Sequence, residues 1–320
     1  MHEYSFIIPA YNAGNNLDGA VHSIVSRIPD AEIIIVENGS TDNTLSLAGN
    51  LALENTNIIL LQSEKGVSAA RNKGIRSASG KWLIFVDADD RWVGSGEILK
   101  SLTVSLPDIA VCSYQKGRSQ VIHNCLSKDV PGIKAWMMER PTQRMTVWAK
   151  LFRRDFLLDN NLFFDTDLWV TEDSEFLVRC LNLCNSVIVS DAVIYNNRLD
   201  ASSVTRAVGS GRTDGHLDAI RKVQSEVPQD NVFMEYVLAH VNLIAVHEIF
   251  DPAIHCSWRD RIRELKAFLQ DDLIRSQVDK VTLTADPQLL PPYLFKNKMY
   301  SIGGLICYLR AVSNRKAYKK

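Results

Sequence analysis

Several things are scarce in this chain of 320 residues, and each absence narrows the reading. Its six cysteines, Cys112, Cys125, Cys180, Cys184, Cys256 and Cys307, are scattered and form no C-x-x-C pair. They read as small hydrophobes in a reducing compartment, with Cys180 and Cys184 sharing one helix face. Charge of one sign is also missing: 36 Lys and Arg balance 37 Asp and Glu, for a net charge of -1. That excludes a protein whose whole surface grips nucleic acid. No uncharged apolar stretch reaches the ~18 residues of a membrane span; Tyr236–Val246 and Met299–Leu309 are the longest candidates. The first apolar run, Phe6 to Ala10, is short and follows an acidic residue, so no secretory leader is expected. Repeats and low-complexity segments are absent.

What remains is an ordinary globular composition, 46% hydrophobic and 23% charged. It suits one large α/β domain with an extension, or two domains. The charge is uneven along the chain. Before Thr205 acids outnumber bases, and after it the order reverses. No acidic residue follows Asp286, while Lys296, Lys298, Arg310, Arg315, Lys316, Lys319 and Lys320 do. An acidic body with a basic tail suits contact with an anionic surface.

The first ninety residues alternate. Apolar, β-branched runs at Ser5–Pro9, Glu32–Val36, Asn57–Leu61 and Lys81–Val86 predict strands. Between them, Asn16–Arg27, a segment capped by Thr41-Asp42 and running to Glu54, and Val67–Ala78 have helical spacing. This order predicts a parallel, doubly wound sheet. Farther on, Ile109–Tyr114 and Val187–Val189 read as strands, Val147–Asn161 as a strand edge and helix, and Glu172–Leu183 as a helix. Beyond Arg206 the pattern is helical at Asp214–Glu226, Val232–Phe250 and Arg259–Leu269. Accumulated Ser, Gly and Thr at Ser202–Gly211 mark a boundary, giving domains at 1–205 and 206–320.

In an open parallel sheet, ligands sit at the carboxyl ends of the strands. Three polar clusters fall there. Asp87-Ala88-Asp89-Asp90 follows the fourth strand, and carboxylates this close repel one another unless a cation intervenes. Hard oxygen donors suit Mg2+ or Mn2+ shared with a phosphate; the plainer reading is an acidic turn capping a helix that starts near Trp92. Glu37-Asn38-Gly39-Ser40-Thr41-Asp42 is a turn with a helix cap, onto which contact of Glu37 with a base or ribose can be added. Tyr11, after Pro9-Ala10, packs the domain edge or stacks on a base. Arg71, on a helix of small residues, binds phosphate, holds the acidic motif or makes a surface salt bridge. Glu172-Asp173 either favours a helix start behind Thr171 or turns a general base toward the cleft.

Taken in order, Phe6–Asn12, Ile35–Asp42, Gly66–Gly74, Phe85–Asp90, Val147–Arg154 and Glu172-Asp173 resemble the inverting glycosyltransferases of family 2, which have the GT-A fold. The likeness covers roughly the first two hundred residues and leaves the C-terminal third without a named motif. The resemblance implies that Asp87 and Asp89 form the D-x-D element, with Asp89 ligating Mn2+ or Mg2+ at the diphosphate and Asp87 at the ribose or a metal-bound water. It implies that Pro9, Tyr11, Glu37 and Arg71 serve the donor, a UDP-sugar, and that Asp173 is the catalytic base. Lys150 matches a recurrent lysine placed with the donor-binding residues, its role open. The family usually has Asp-Asp-Gly-Ser where this chain has Glu37-Asn38-Gly39-Ser40, and often Gly or Ser where it has Thr171.

The resemblance points to bacterial surface polysaccharide assembly, such as O-antigen, capsule or exopolysaccharide, at a saccharide or lipid-linked acceptor. The expected location is cytoplasmic, at most peripheral on the inner face of the membrane. Two other readings stay open, a nucleotidyltransferase and a non-catalytic nucleotide-sugar-binding module. Pro9-Ala10-Tyr11-Asn12 is not the Gly-rich, Lys-bearing loop the former needs. In the tail, Ile302, Leu305, Ile306, Leu309 and Val312 share a helical face near Lys298, Arg310, Arg315 and Lys316. Either that helix lies on an anionic bilayer or it docks on the body.

Overall fold

A computed structural model describes residues 2–198 and 211–318. The contacts divide it into two compact units, residues 2–136 with 146–198, and residues 137–145 with 211–318. The boundary expected at 205/206 lies outside the described residues. The short segment 137–145 joins the helical unit although it lies far upstream in the chain.

The first unit is built on one sheet. Its strands are β1 (Tyr4–Ala10), β2 (Glu32–Glu37), β3 (Ile58–Gln62), β4 (Trp82–Phe85), β5 (Arg91–Trp92), β6 (Ile109–Lys116), β7 (Ser119–Val121), β8 (Lys150–Arg153) and β9 (Val187–Asn197). Their order is β3-β2-β1-β4-β8-β6-β9-β5, with β7 beside β6. The half from β3 to β4 is parallel, as the alternation predicted, while β8 runs antiparallel to both neighbours. Strand β2 is buried along its whole length, which explains why its apolar run is continuous instead of alternating. Sequential β1 and β2 pair on one side and β4 on the other, so the chain reverses direction across the sheet at β1. Crevices open at such switch points.

Helices α1 (Leu17–Val25), α2 (Thr44–Glu54), α3 (Val67–Ser77), α4 (Gly96–Thr103), α5 (Val130–Glu139), α6 (Pro141–Arg144), α7 (Arg154–Asp159) and α8 (Glu172–Leu183) follow in order. Helix α3 lies close on β1 because of Gly74: a Cβ there would stand 2.3 Å from Ile7 Cγ2. From the same helix the buried Asn72 side chain donates to the Phe164 carbonyl (2.8 Å) and accepts from the Phe164 amide (2.7 Å). Phe164 stacks on Phe176 of α8 at 4.0 Å. Those contacts hold the start of α8 against α3.

One expectation fails nearby. No helix starts at Trp92. That residue is fully buried at the sheet edge, edge-on to Phe6 at 4.9 Å, and pairs with Tyr195 as strand β5. The helix begins at Gly96, capped by Ser95 Oγ, which accepts from the Ile98 amide. Burial of a large aromatic outweighs the local helix signal.

The second unit is helical: α9 (Arg212–Glu226), α10 (Asn231–Ile244) continued by a π-helical turn at Ala245–Ile249, α11 (Trp258–Phe268), α12 (Asp272–Val278), α13 (Leu290–Lys296) and α14 (Tyr300–Tyr318). The buried Arg261 side chain donates to the carbonyls of Ile249, Asp251 and Ile254, satisfying the end of the π turn. By length and composition Asn231–Ile249 could cross a membrane, but it carries Glu235 and Glu248 and over half of it is buried inside the unit. Gly303-Gly304, a weak point for a helix by propensity, sit inside α14, and a Cβ on either would come within 2.5 Å of Phe295 or Phe250. Cys112, Cys180, Cys184 and Cys307 are buried free thiols, whereas Cys256 is exposed, unlike the small buried hydrophobe expected of it.

Candidate active site

The loops after β1 and β2 are laced together. Asn12 adopts a left-handed backbone (φ 48°), which Asn tolerates, and this turns its side chain toward the second loop. Its amide donates to Ser40 Oγ (3.0 Å) and its Oδ1 accepts from the Thr41 amide (2.8 Å). Asp42 accepts from the amides of Gly14 and Thr44, both at 3.0 Å. Glu37 is buried, and its carboxylate accepts from the Ser40 amide (2.5 Å) and from Gln62 Nε2 (3.3 Å). Burial pushes the Glu37 pKa up, and hydrogen bonds from Ser40, Gln62 and Gly39 more than offset it, leaving it below the ordinary value. Tyr11 is half-buried beside these loops, with the Lys65 ammonium 5.3 Å from its ring centroid. Pro9 is half-buried at the end of β1.

After β4, carboxylate oxygens of Asp87, Asp89 and Asp90 lie within 4.8 Å of one another. The three are not equivalent. Asp90 is buried and its oxygens accept from Tyr195 Oη (2.7 Å), Asn197 Nδ2 (3.0 Å) and the Arg198 amide (2.7 Å). It is a bracket that ties the motif to β9. Tyr195 Oη also accepts from the Asp87 amide (3.1 Å), and its ring stacks on Trp148 at 4.8 Å. Burial, then repulsion from Asp87 and Asp89, raises Asp90 to about 7; burial, partly countered by Arg71 but reinforced by Asp89 and Asp173, raises Asp87 to about 6. Asp87 and Asp89 are half-buried, hard oxygen donors whose mutual repulsion a divalent cation would relieve. Their donor set fits Mg2+ or Mn2+.

Arg71 joins this cluster to α8. It is 3% exposed. Its guanidinium donates to Asp173 Oδ1 (2.7 Å), Glu172 Oε1 (3.0 Å) and Asp87 Oδ1 (3.4 Å). Burial disfavours its charge, but Asp173, Asp87 and Glu172 outweigh that and hold it more firmly protonated than usual. The surface salt bridge considered from sequence is therefore wrong. Arg71 holds the acidic motifs through its two terminal nitrogens.

Asp173 Oδ2 accepts from the Val147 amide (3.0 Å). Its neighbour Glu172 is raised to about 7 by burial and by Asp173, against the pull of Arg71. Thr171, just before them, has φ 63°, a left-handed conformation that costs a β-branched residue dearly and Gly nothing. It is the N-cap and acids fill the first turn of α8, as the helix-start reading expected, but its hydroxyl makes no cap hydrogen bond to the helix. Lys150, placed with the donor-binding residues by resemblance, is buried. It is 1% exposed, donates to the Thr146 carbonyl (2.5 Å), and burial lowers its pKa to about 7 despite Asp173 and Cys112.

Sequence reading missed Tyr195, Asn197 and the Val147 amide. No local motif announces them, because they reach Asp90 and Asp173 only through the fold.

Residues 5–143 match the model of the Glycosyl transferase family 2 family. The segment matched belongs to that family, and the sheet and helices have the GT-A fold. Among curated relatives, it is 28% identical over 229 residues to the uncharacterized glycosyltransferase EpsJ of Bacillus subtilis (strain 168), covering 67% of this chain and 66% of that one. It is 33% identical over 223 residues to the uncharacterized glycosyltransferase YibD of Escherichia coli (strain K12), covering 63% of each. The chain thus spans just under two thirds of the length of these relatives. Among solved structures, S. aureus TarS 1-349 in complex with UDP-GlcNAc superposes with a TM-score of 0.68 at 18% identity, covering 95% of this chain and 90% of that one. The mannosyltransferase PcManGT of Pyrobaculum calidifontis, in complex with GDP-Man and Mn2+, gives 0.54 at 15% identity, covering 96% and 87%.

Proposed function

We propose that this chain transfers a hexose or N-acetylhexosamine from a UDP-sugar to a hydroxyl of a saccharide acceptor, with inversion, in the assembly of a bacterial surface polysaccharide. The observation that carries the reading is the Arg71 bridge, which draws Asp87 and Asp173, 86 positions apart, to one guanidinium at the carboxyl edge of the sheet. Tyr11, Pro9 and the Glu37 loop border the nucleotide, and the Arg71 bridge fixes Asp87 for it. The printed names of relatives fit such pathways, among them a succinoglycan biosynthesis protein and a poly(ribitol-phosphate) beta-glucosyltransferase.

Asp173 acts as the base. Its Oδ1 is engaged by the Arg71 guanidinium, whereas Oδ2, which accepts one hydrogen bond from the neutral Val147 amide, keeps a lone pair for the acceptor proton. The freed oxygen attacks the anomeric carbon opposite the leaving UDP, so an α-linked donor gives a β-linked product. Mn2+ or Mg2+ held by Asp89 and Asp87 supplies positive charge to the diphosphate. A lipid-linked acceptor at the cytoplasmic face of the membrane is the finer form of this reading.

UDP release from a panel of UDP-sugars with Mn2+ tests it, since a mere binding module releases none; protection against thermal unfolding ranks the donors, with a GDP-sugar as control. Asp173→Asn should lower turnover by about 10²- to 10⁴-fold with donor protection retained. Full activity in that variant, with loss in Glu172→Gln instead, would move the base by one residue.

A further inference from the structure

The last helix is packed inside out. In α14 the small residues Gly303, Gly304, Cys307 and Ala311 are buried against the unit, whereas Ile302, Leu305 and Leu309 point away from it at 51%, 49% and 57% exposure. Met299, just before the helix, is 42% exposed. These positions recur at three and four residues, so they form one stripe along a single face. A helix that only closed a core would bury its large side chains and expose its small ones. Of the five residues the sequence placed on that face, Ile306 and Val312 are half-buried and the other three are outward.

The surroundings of the stripe are basic. Lys298 and Lys316 are exposed on α14 and its approach. Helix α11 packs beside α14, where Trp258 meets Tyr308 at 6.3 Å and the Lys266 ammonium sits 5.1 Å from the Tyr300 ring. That helix adds Arg259, Arg263 and Lys266, all exposed, and Trp258 is 38% exposed. Not every basic residue of the tail contributes. Arg315 is paired with Asp251, Arg310 donates to the Pro287 carbonyl and Lys296 to the Val281 carbonyl. On α11, Arg263 is paired with Asp260 at 2.6 Å. That leaves Lys298, Lys316, Arg259 and Lys266 to flank an apolar stripe with an indole at its side.

We propose that this face, Ile302, Leu305 and Leu309 with Met299 and Trp258, docks in the plane of an anionic lipid bilayer. The apolar side chains enter the headgroup boundary while Lys298, Arg259, Lys266 and Lys316 meet lipid phosphates. Trp at the border suits the interfacial zone. A second copy is the poorer occupant: an isologous contact would set this basic rim against itself. The inference is independent of which sugar moves, and it stands or falls apart from the catalytic assignment.

The test is flotation of the full chain with vesicles of phosphatidylcholine alone and of phosphatidylcholine mixed with phosphatidylglycerol. Binding is expected on the anionic vesicles, weakened by salt. The triple variant Ile302→Ser, Leu305→Ser, Leu309→Ser should lose at least about tenfold in partitioning, and Lys298→Glu with Lys316→Glu should lose anionic selectivity. All five side chains are outward, so donor protection against unfolding should be unchanged and certifies the fold. Failure of the wild type to float with either vesicle overturns the proposal, as does equal binding by the triple variant. A dimer that the triple variant dissolves assigns the face to a second copy instead.

Discussion

The buried carboxylates of the sheet unit and the buried histidines of the helical unit respond to burial in opposite ways. In the sheet unit the site gathers carboxylates, and burial with mutual repulsion raises Glu172 to about 7. In the helical unit His216 and His240 are buried among helices, and burial lowers them to about 3 and 4, with His240 and Arg212 adding to the effect on His216. The first unit keeps charge where charge is costly and holds it with one arginine; the second keeps its polar rings neutral. Concentrated charge is a mark of chemistry, since structural stability alone would favour the second solution. Acid should therefore act on the two units with opposite signs.

The largest effect comes from breaking the arginine bridge. Arg71→Met leaves three carboxylates without their shared cation and should cost about 3–5 kcal/mol of stability at neutral pH. Without the cation, Glu172 and Asp87 lose the charge that holds their pKa values down, so part of the loss should return in mild acid. Denaturant unfolding at two pH values reads this. A loss of less than about 1 kcal/mol, as for an exposed pair, would show that the bridge holds nothing together.

Next is the pH response itself. A histidine with a lowered folded pKa binds fewer protons folded than unfolded, so its penalty is absent above the unfolded value, near 6.5, and grows as pH falls. The growth is about 1.4 kcal/mol per pH unit for each ring, or roughly 4 kcal/mol for both at pH 5. Glu172 runs the other way. Raised in the folded state, it contributes stability that is complete below its unfolded value and lost as pH rises through about 7. Hydrogen exchange corrected for intrinsic rates should show α10 losing protection between neutral pH and 5 while α8 holds or gains. His240→Gln should flatten the first trend and Glu172→Gln the second; parallel slopes in both helices would contradict the contrast.

The halves of the molecule also differed in how far their sequence could be read. Strands β1 to β4 were legible because buried parallel strands leave unbroken β-branched runs, and the positions of Tyr11, Glu37 and Asp87 were legible because each ends or follows one. The capping of Asp90 by Tyr195 and Asn197 was not, since residues more than a hundred positions apart meet only through β9. The depth of Lys150 was not legible either, because residue type says nothing of burial. In the helical unit periodicity found α9, α10 and α11, but propensity undervalued α14, where Gly303 and Gly304 are required by the close approach of Phe295 and Phe250.

The smallest effect gives the sharpest comparison. Both units begin a helix from a left-handed residue, Thr171 before α8 (φ 63°) and Gly211 before α9 (φ 65°). Glycine enters that region freely, and a Cβ added at Gly211 would meet nothing within 4 Å, so Gly211→Thr isolates backbone strain at about 1 kcal/mol of destabilisation. Thr171→Gly is the reciprocal change. It should stabilise by up to about 1 kcal/mol, diminished by the greater freedom of glycine in the unfolded chain. With Asp173, two positions on, as the proposed base, the strain is part of its positioning, so the gain in thermal midpoint should come with lower turnover at unchanged donor binding. If stability rises and turnover holds, Thr171 merely tolerates its conformation, and the orientation of Asp173 rests on Arg71 and the Val147 amide alone.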